Sequence, residues 1–230
     1  MMLSDSVVLR RLIVLPIIFL VCLFYLNQAA HAQVQVDKMV AMINGTNLIT
    51  YSDLLWQLAL QPNSPLDNPG PDELQQALQL VIDQKLISQE AEKLPLITPT
   101  EKEIKDGIDK LIRRFSSRTE FDRRVRRVGL TSERLFEIVQ KRVEIEKYLD
   151  FRFRAFSVAL PSEVESYYAQ VYVPNRRRQA PGEIIPTLDE ARQEITNTLI
   201  ENKLKSDIDN FLDNARQSAD IIMLNPVRSK

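Results

Sequence analysis

The chain has 230 residues, 27% charged and 44% apolar, with a formal charge of −1. It holds one cysteine and one histidine, Cys22 and His31, and both lie in an N-terminal stretch that reads as a processing segment. The rest of the chain has neither residue, which excludes a disulfide framework, a thiolate nucleophile, a Ser-His-Asp triad and an HExxH zinc site.

Arg10 and Arg11 precede an uncharged apolar run, Leu12–Leu26, and Ala30-His31-Ala32 closes it in an A-x-A pattern. A positive flank, an apolar core of about 15 residues and a small-residue exit describe a secretory signal peptide over residues 1–32. The run is short for a membrane span of about 20 residues, and Pro16 interrupts it. The expected location is the periplasm. Removing Asp5, Arg10 and Arg11 takes the formal charge from −1 to −2. A near-balanced charged chain gives no sign of a nucleic-acid binder.

After Gln33, Val36, Val40 and Ile43 mark a first strand, and Asn44-Gly45 marks a tight hairpin turn before a second strand at Thr46–Ile49. Thr50 with Asp53 reads as an acidic variant of the capping box and opens a helix over 51–60. A Pro- and Asn-rich loop follows, and Pro71 suits the first turn of a helix running to about Lys93, which Pro95 stops. Thr100 with Glu103 starts the next helix, carrying Ile104, Ile108, Leu111, Ile112 and Phe115.

Thr119 with Asp122 is expected to start a shorter helix that ends at Gly129. Its region is rich in arginine: Arg113, Arg114, Arg118, Arg123, Arg124, Arg126 and Arg127. Most of these lie opposite Phe121, Val125 and Val128, as on the solvated face of an amphipathic helix. Thr131 caps a long helix to about Phe153, and Ser162 begins a short one through Tyr167 and Tyr168. The stretch "VYVPNRRRQAPGEIIPTL", residues 171–188, has three prolines, a glycine and no helical apolar repeat, so it reads as a loop. From Thr187 a helix of about 30 residues follows, and residues 219–224 make a last strand. That strand needs a partner for its backbone, and the N-terminal hairpin is the available one. The two ends of the chain are therefore expected to meet.

Nothing here suggests catalysis. Glu144 with Glu146, and Asp207 with Asp209, are two residues apart and point to different sides of their helices. The five glycines stand singly, so no phosphate loop is present. Aromatic residues on several helices offer apolar surface to a client segment: Trp56, Phe115, Phe121, Phe136, Tyr167 and Tyr168 are the candidate peptide-binding residues. No metal or cofactor is expected.

Four stretches, in order, resemble the SurA-type periplasmic chaperones and related parvulin-like proteins. "VDKMVAMINGTNLITYSDL" resembles the opening V-D-x-x-V-A-x-I/V-N-G/D hairpin and its helix start, with Val36, Asp37, Val40, Ala41, Ile43, Asn44, Gly45, Ser52 and Asp53 matching. "LQLVIDQKLISQEAEKL" resembles the following helix. "LPSEVESYYAQ" resembles the segment before the isomerase domain, through Glu163, Val164, Tyr167 and Tyr168. "ARQEITNTLIENKLKSDIDNFLDNARQSADIIML", residues 191–224, resembles the closing helix and strand, with Phe211 where relatives often carry tryptophan.

The resemblance implies a mostly α, SurA/trigger-factor-like peptide-binding domain over 33–230, with a small β element from the hairpin and the last strand. It divides into an N-terminal helical part (33–170), a Pro/Arg-rich loop (171–187) and a C-terminal helix and strand (188–230). The family's parvulin module, with its histidines and glycine run, has no counterpart in residues 171–188. Lowering a peptide-bond rotation barrier of about 18–20 kcal/mol needs a shaped site, so the resemblance implies the chaperone body without the isomerase. The expected partners are unfolded envelope or outer-membrane protein precursors, with a homodimer open. The alternatives are a parvulin-related prolyl isomerase with an unusual site and a membrane-anchored scaffold with an uncut N-terminus. Cleavage after Ala32 predicts an exported protein that begins at Gln33, which intact-mass measurement reads directly; a retained residues 1–32 would favour the scaffold.

Overall fold

The structure, a computed structural model, describes residues 37–94 and 97–225. The signal-segment expectation for residues 1–32 lies outside the described residues, as does Pro95. The architecture is mostly helical with one three-stranded antiparallel sheet of order β2-β1-β3. The strands are β1 (Met39–Ile43), β2 (Asn47–Thr50) and β3 (Ile221–Met223). The helices are α1 (Tyr51–Ala59), α2 (Pro71–Ala91), α3 (Glu101–Ile112), α4 (Arg118–Arg127), α5 (Ser132–Arg152), α6 (Pro161–Tyr167), α7 (Val173–Gln179) and α8 (Leu188–Ser218).

The hairpin forms, but Thr46 joins the turn, so the second strand runs Asn47–Thr50 and not from Thr46 to Ile49 as expected. Asn44 and Gly45 both take positive φ, 52° and 69°, and the strands pair Ile43 with Asn47 across the turn. The ends of the chain do meet: Ile43 of β1 also pairs with Ile221 of β3. Asn44 ties the junction together. Its amide N–H donates to the Asp220 carbonyl at 2.8 Å, its side-chain oxygen accepts from the Asp220 N–H at 3.0 Å, and its side-chain nitrogen donates to Gln89 Oε1 on α2 at 2.9 Å.

The caps at Thr50, Thr100 and Thr131 form as expected and Thr187 caps α8 in the same way, each hydroxyl accepting from the third helical N–H. Two helix starts differ from expectation. α4 begins at Arg118, because Ser117 Oγ accepts from the Glu120 N–H at 3.1 Å and pre-empts Thr119. α6 begins at Pro161 with no hydroxyl cap; the Glu163 carboxylate accepts the Leu160 N–H at 2.8 Å instead. Gly129 sits at φ 64° just past α4.

The loop expected over 171–187 is a correction. Residues 168–172 form a π-helical turn and residues 173–179 continue as α7, so only residues 180–187 are irregular. Pro174 explains the widened turn: it has no N–H for the carbonyl four residues back and its ring would strike that carbonyl, so the preceding turn opens to an i to i−5 bond from Val173 N–H to Tyr168 O. Chain 180–187 then doubles back. Tyr168 Oη donates to the Pro186 carbonyl at 2.9 Å, and Ile185 packs with Val164, Tyr172 and Ile195.

α8 is the spine. At 31 residues it runs about 46 Å. Its start buries Ala191 and Ile195 against α6 and the π turn, its middle sets Phe211 beside Tyr148 and Phe153 of the α5 end, and its end packs Ala215 beneath the sheet. Asp83 of α2 accepts from Arg216 through both carboxylate oxygens, at 2.8 and 2.7 Å. Between α3 and α5 the helices approach closely at Gly107, where a Cβ would lie 3.0 Å from methyls of Val139 and Val143. Glu103 joins the same pair: its carboxylate accepts from Lys147 at 2.8 Å and from Thr100, and these bonds hold it down at about 2.

Arg124 departs from the expected solvated face. Its guanidinium donates to the carbonyls of Leu58, Ala59, Gln61 and Ser64, at 2.8 to 3.1 Å, and so closes the C-terminus of α1 and the loop after it. Arg123, Arg126 and Arg127 are exposed, as the helical pattern requires. Arg124→Ala should lower unfolding free energy by about 2 kcal/mol, read from urea denaturation. Arg124→Lys should recover only part of it, since an ammonium lacks the planar fork.

Candidate functional site

α1, α2 and α5 leave a cleft of about 380 Å³ between them. Its apolar surface comes mainly from Trp56, Ile138 and Ile145, with Val81 and Leu60 buried behind them. Trp56 is fixed at both ends. Its indole N–H donates to the Val128 carbonyl at 3.1 Å, and the Arg134 guanidinium lies 5.1 Å over its ring. α1 presents Trp56 here because its first turn is held by the Thr50–Asp53 box and by Asp37, which accepts the Ser52 N–H at 3.2 Å, while Arg124 holds its last turn.

The rim is charged: its carboxylates are all paired, while Lys85 has no ion pair among the described residues. Arg134 pairs with Asp53 at 3.4 Å and Glu137 at 2.7 Å, and Lys141 pairs with Glu92 at 2.8 Å and Glu144 at 2.9 Å. Asn47, Gln57, Gln84, Gln89 and Gln140 contribute side-chain amides to the wall. Those of Gln84 and Gln140 have no protein partner among the described residues. Primary amides donate and accept together, which is what a peptide backbone requires of a wall.

Arg142 of α5 stands at the inner end of the cleft. Its Nη2 donates to Gln57 Oε1 at 2.8 Å, while its Nε is buried without an acceptor. Among the described residues no carboxylate pairs with it. Burial, reinforced by the Arg114 guanidinium, pushes it down to about 10, so it remains a cation at neutral pH.

The six aromatic candidates separate. Trp56 lines the cleft. Phe115 and Phe121 do not: they pack edge to face at 5.2 Å in the core beneath α3 and α4, with Phe121 only 1% exposed. Phe136 packs half-buried against that core. Tyr167 and Tyr168 belong to a different cluster, where Tyr168 stacks on Tyr172 at 5.8 Å and holds the 180–187 return. They therefore do not form one cradle with Trp56. The arrangement is explained by helix periodicity: Phe121 falls on the inward face with Val125, whereas Trp56 lies at the edge of the α1 apolar stripe.

The sequence reading missed the amide wall and Arg142, since polar residues on three separate helices carry no joint sequence signal. It also missed an exposed apolar run where α5 ends. Phe151, Phe156, Val158 and Leu160 are 55–78% exposed. Among the described residues no helix is long and apolar enough to cross a membrane, and no group of carboxylates, histidines and cysteines could hold a metal ion. No family model matches the chain, and no curated protein shows significant similarity to it.

A half-buried cation with no counter-charge recovers little of its lost hydration on folding. Arg142→Met should therefore leave the melting temperature unchanged or raise it by roughly 2–4 °C, since the Gln57 amide faces the open cleft and can take water in place of the guanidinium. A fall of more than about 5 °C in a thermal melt would instead make Arg142 a structural residue.

Proposed function

We propose that the protein is an exported, ATP-independent holdase of the SurA type, a chaperone body without a parvulin isomerase domain. It binds extended segments of unfolded envelope or outer-membrane proteins. The observation that carries this reading is the α1–α2–α5 cleft, which offers an indole face and aliphatic floor beside unpartnered amides. Apolar burial is non-directional and tolerates many client sequences, while amides satisfy whatever backbone is presented. The exposed Phe151, Phe156, Val158 and Leu160 add apolar surface of the kind that marks contact with another protein. The ordered resemblance of the hairpin, the second helix, the tyrosine pair and the closing helix to SurA-type proteins supports the same reading.

Such a protein needs to cover exposed apolar surface only faster than clients find one another. When a denatured outer-membrane protein is diluted into buffer, a few-fold excess of this protein should suppress light scattering. Trp56→Ala, checked for folding by circular dichroism, should weaken client binding about ten-fold. Unchanged scattering would overturn the holdase. Catalysed isomerisation of a cis-proline peptide at micromolar protein would replace it with a prolyl isomerase.

A further inference from the structure

A second hollow, of about 490 Å³, adjoins the cleft. Gln57, Leu60, Gln84 and Arg142 line both spaces, so these four residues form the passage between them. Beyond the passage lie Gln61, Pro62 and Arg114. The two spaces differ in charge. The cleft has acidic residues on its rim, each matched by Arg134 or Lys141. The hollow has two guanidiniums and no carboxylate in its lining. Arg114 makes no ion pair among the described residues, and Arg142 spends one donor on Gln57 while its buried Nε has no acceptor.

We infer that this hollow seats a carboxylate, so that a peptide lying in the cleft is anchored by an acidic group between Arg142 and Arg114. The inference rests on the peptide-binding reading above and adds an end-point to it. A guanidinium holds its N–H donors in a fixed fork that matches the two oxygens of a carboxylate. Arg142 has that fork partly free and already held in place by Gln57, so little ordering is needed when the anion arrives. The guanidinium is half-buried, where charge-assisted bonds count for more than in open water. Pro62 beside it offers a small apolar contact to the chain that carries the carboxylate. The carboxylate has two possible sources, the free C-terminus of a client segment or an Asp or Glu side chain within it.

Three fluorescein-labelled, unstructured peptides of the same apolar and aromatic sequence test this with the exported protein, by fluorescence anisotropy. One ends in a free acid, one in a neutral amide, and one in the amide with a single internal Glu. At least one acidic peptide should bind about ten-fold tighter than the neutral amide, and which one does so identifies the source. Arg142→Gln should abolish the gap without abolishing binding of the amide, and the exposed Arg114→Gln should narrow it. Should Arg142→Gln fail to fold, the Arg142 Nε–H resonance of the unmodified protein serves instead. It should shift on adding the acidic peptide and stay in place with the amide. Equal affinity for all three peptides, or an unmoved resonance, overturns the carboxylate seat while leaving the peptide cleft standing. Failure of all three to bind overturns both. Displacement of the acidic peptide by inorganic phosphate at concentrations where acetate has no effect would assign the hollow to a phosphate and overturn the inference.

Discussion

The fold depends on β1 having a partner on each side. A hairpin alone is marginal in water, and three of the five residues of β1 lie in the core, with Val40, Ala41 and Ile43 at or below 1% exposed. Its second edge must therefore be filled, and the chain fills it with its own last strand. Asn44 locks that closure from the turn by bonding to both polar groups of Asp220. Once β3 is fixed at the sheet, the end of α8 is fixed too, and the rest of that long helix is carried past α2, α5 and α6. The Arg216–Asp83 fork and the Phe211–Tyr148 contact then set α2 and α5 against the same spine. The spacing of those helices is the width of the cleft.

Within that frame, small polar devices decide where α1 points. Asp37, Thr50 and Asp53 hold its first turn and Arg124 its last. Several residues that carry the SurA-type resemblance, namely Asp37, Asn44, Gly45, Ser52 and Asp53, are thus engaged in backbone capping and turn geometry, and touch the cleft only through Asp53. Arg142 obeys a different logic. Removing a guanidinium from water costs several kcal/mol unless an anion repays it, and a single amide oxygen does so only in part. Arg124, equally constrained, is answered by four carbonyls. The contrast is between a cation whose donors are answered within the fold and one whose donors are answered only in part.

Much of this was legible in the sequence because it rests on local rules. The Asn-Gly turn, the threonine caps and the three- and four-residue apolar steps each have one stable outcome, and the need of a lone strand for a partner forced the closure of the chain. What was not legible depends on neighbours. Arg124 looks like its exposed neighbours until the end of α1 arrives beside it. Phe121 looks like a binding aromatic until α3 and α5 cover it. The helix at 173–179 has a proline in its first turn and three arginines, so no local pattern announces it; Tyr172 stacked on Tyr168, with Arg176 at 5.3 Å over its ring, anchors its start. The cleft itself is assembled from the polar edges of three helices far apart in sequence.

The return at residues 180–187 is closed by contacts of its own. Tyr168 and Pro186 are hydrogen-bonded across it, so the helices entering and leaving are already together before the intervening chain is counted. Closing such a loop costs little more when it is long than when it is short, since the entropy grows only with the logarithm of length. The packing of Val164, Tyr172, Ala191 and Ile195 below it does not involve residues 180–184. A module at this position can therefore be present or absent without disturbing the spine. Under the proposed reading, the exchange of an isomerase for a short return removes catalysis and leaves the α1–α2–α5 cleft, some distance along the chain and built from other helices, as the surface on which the protein acts.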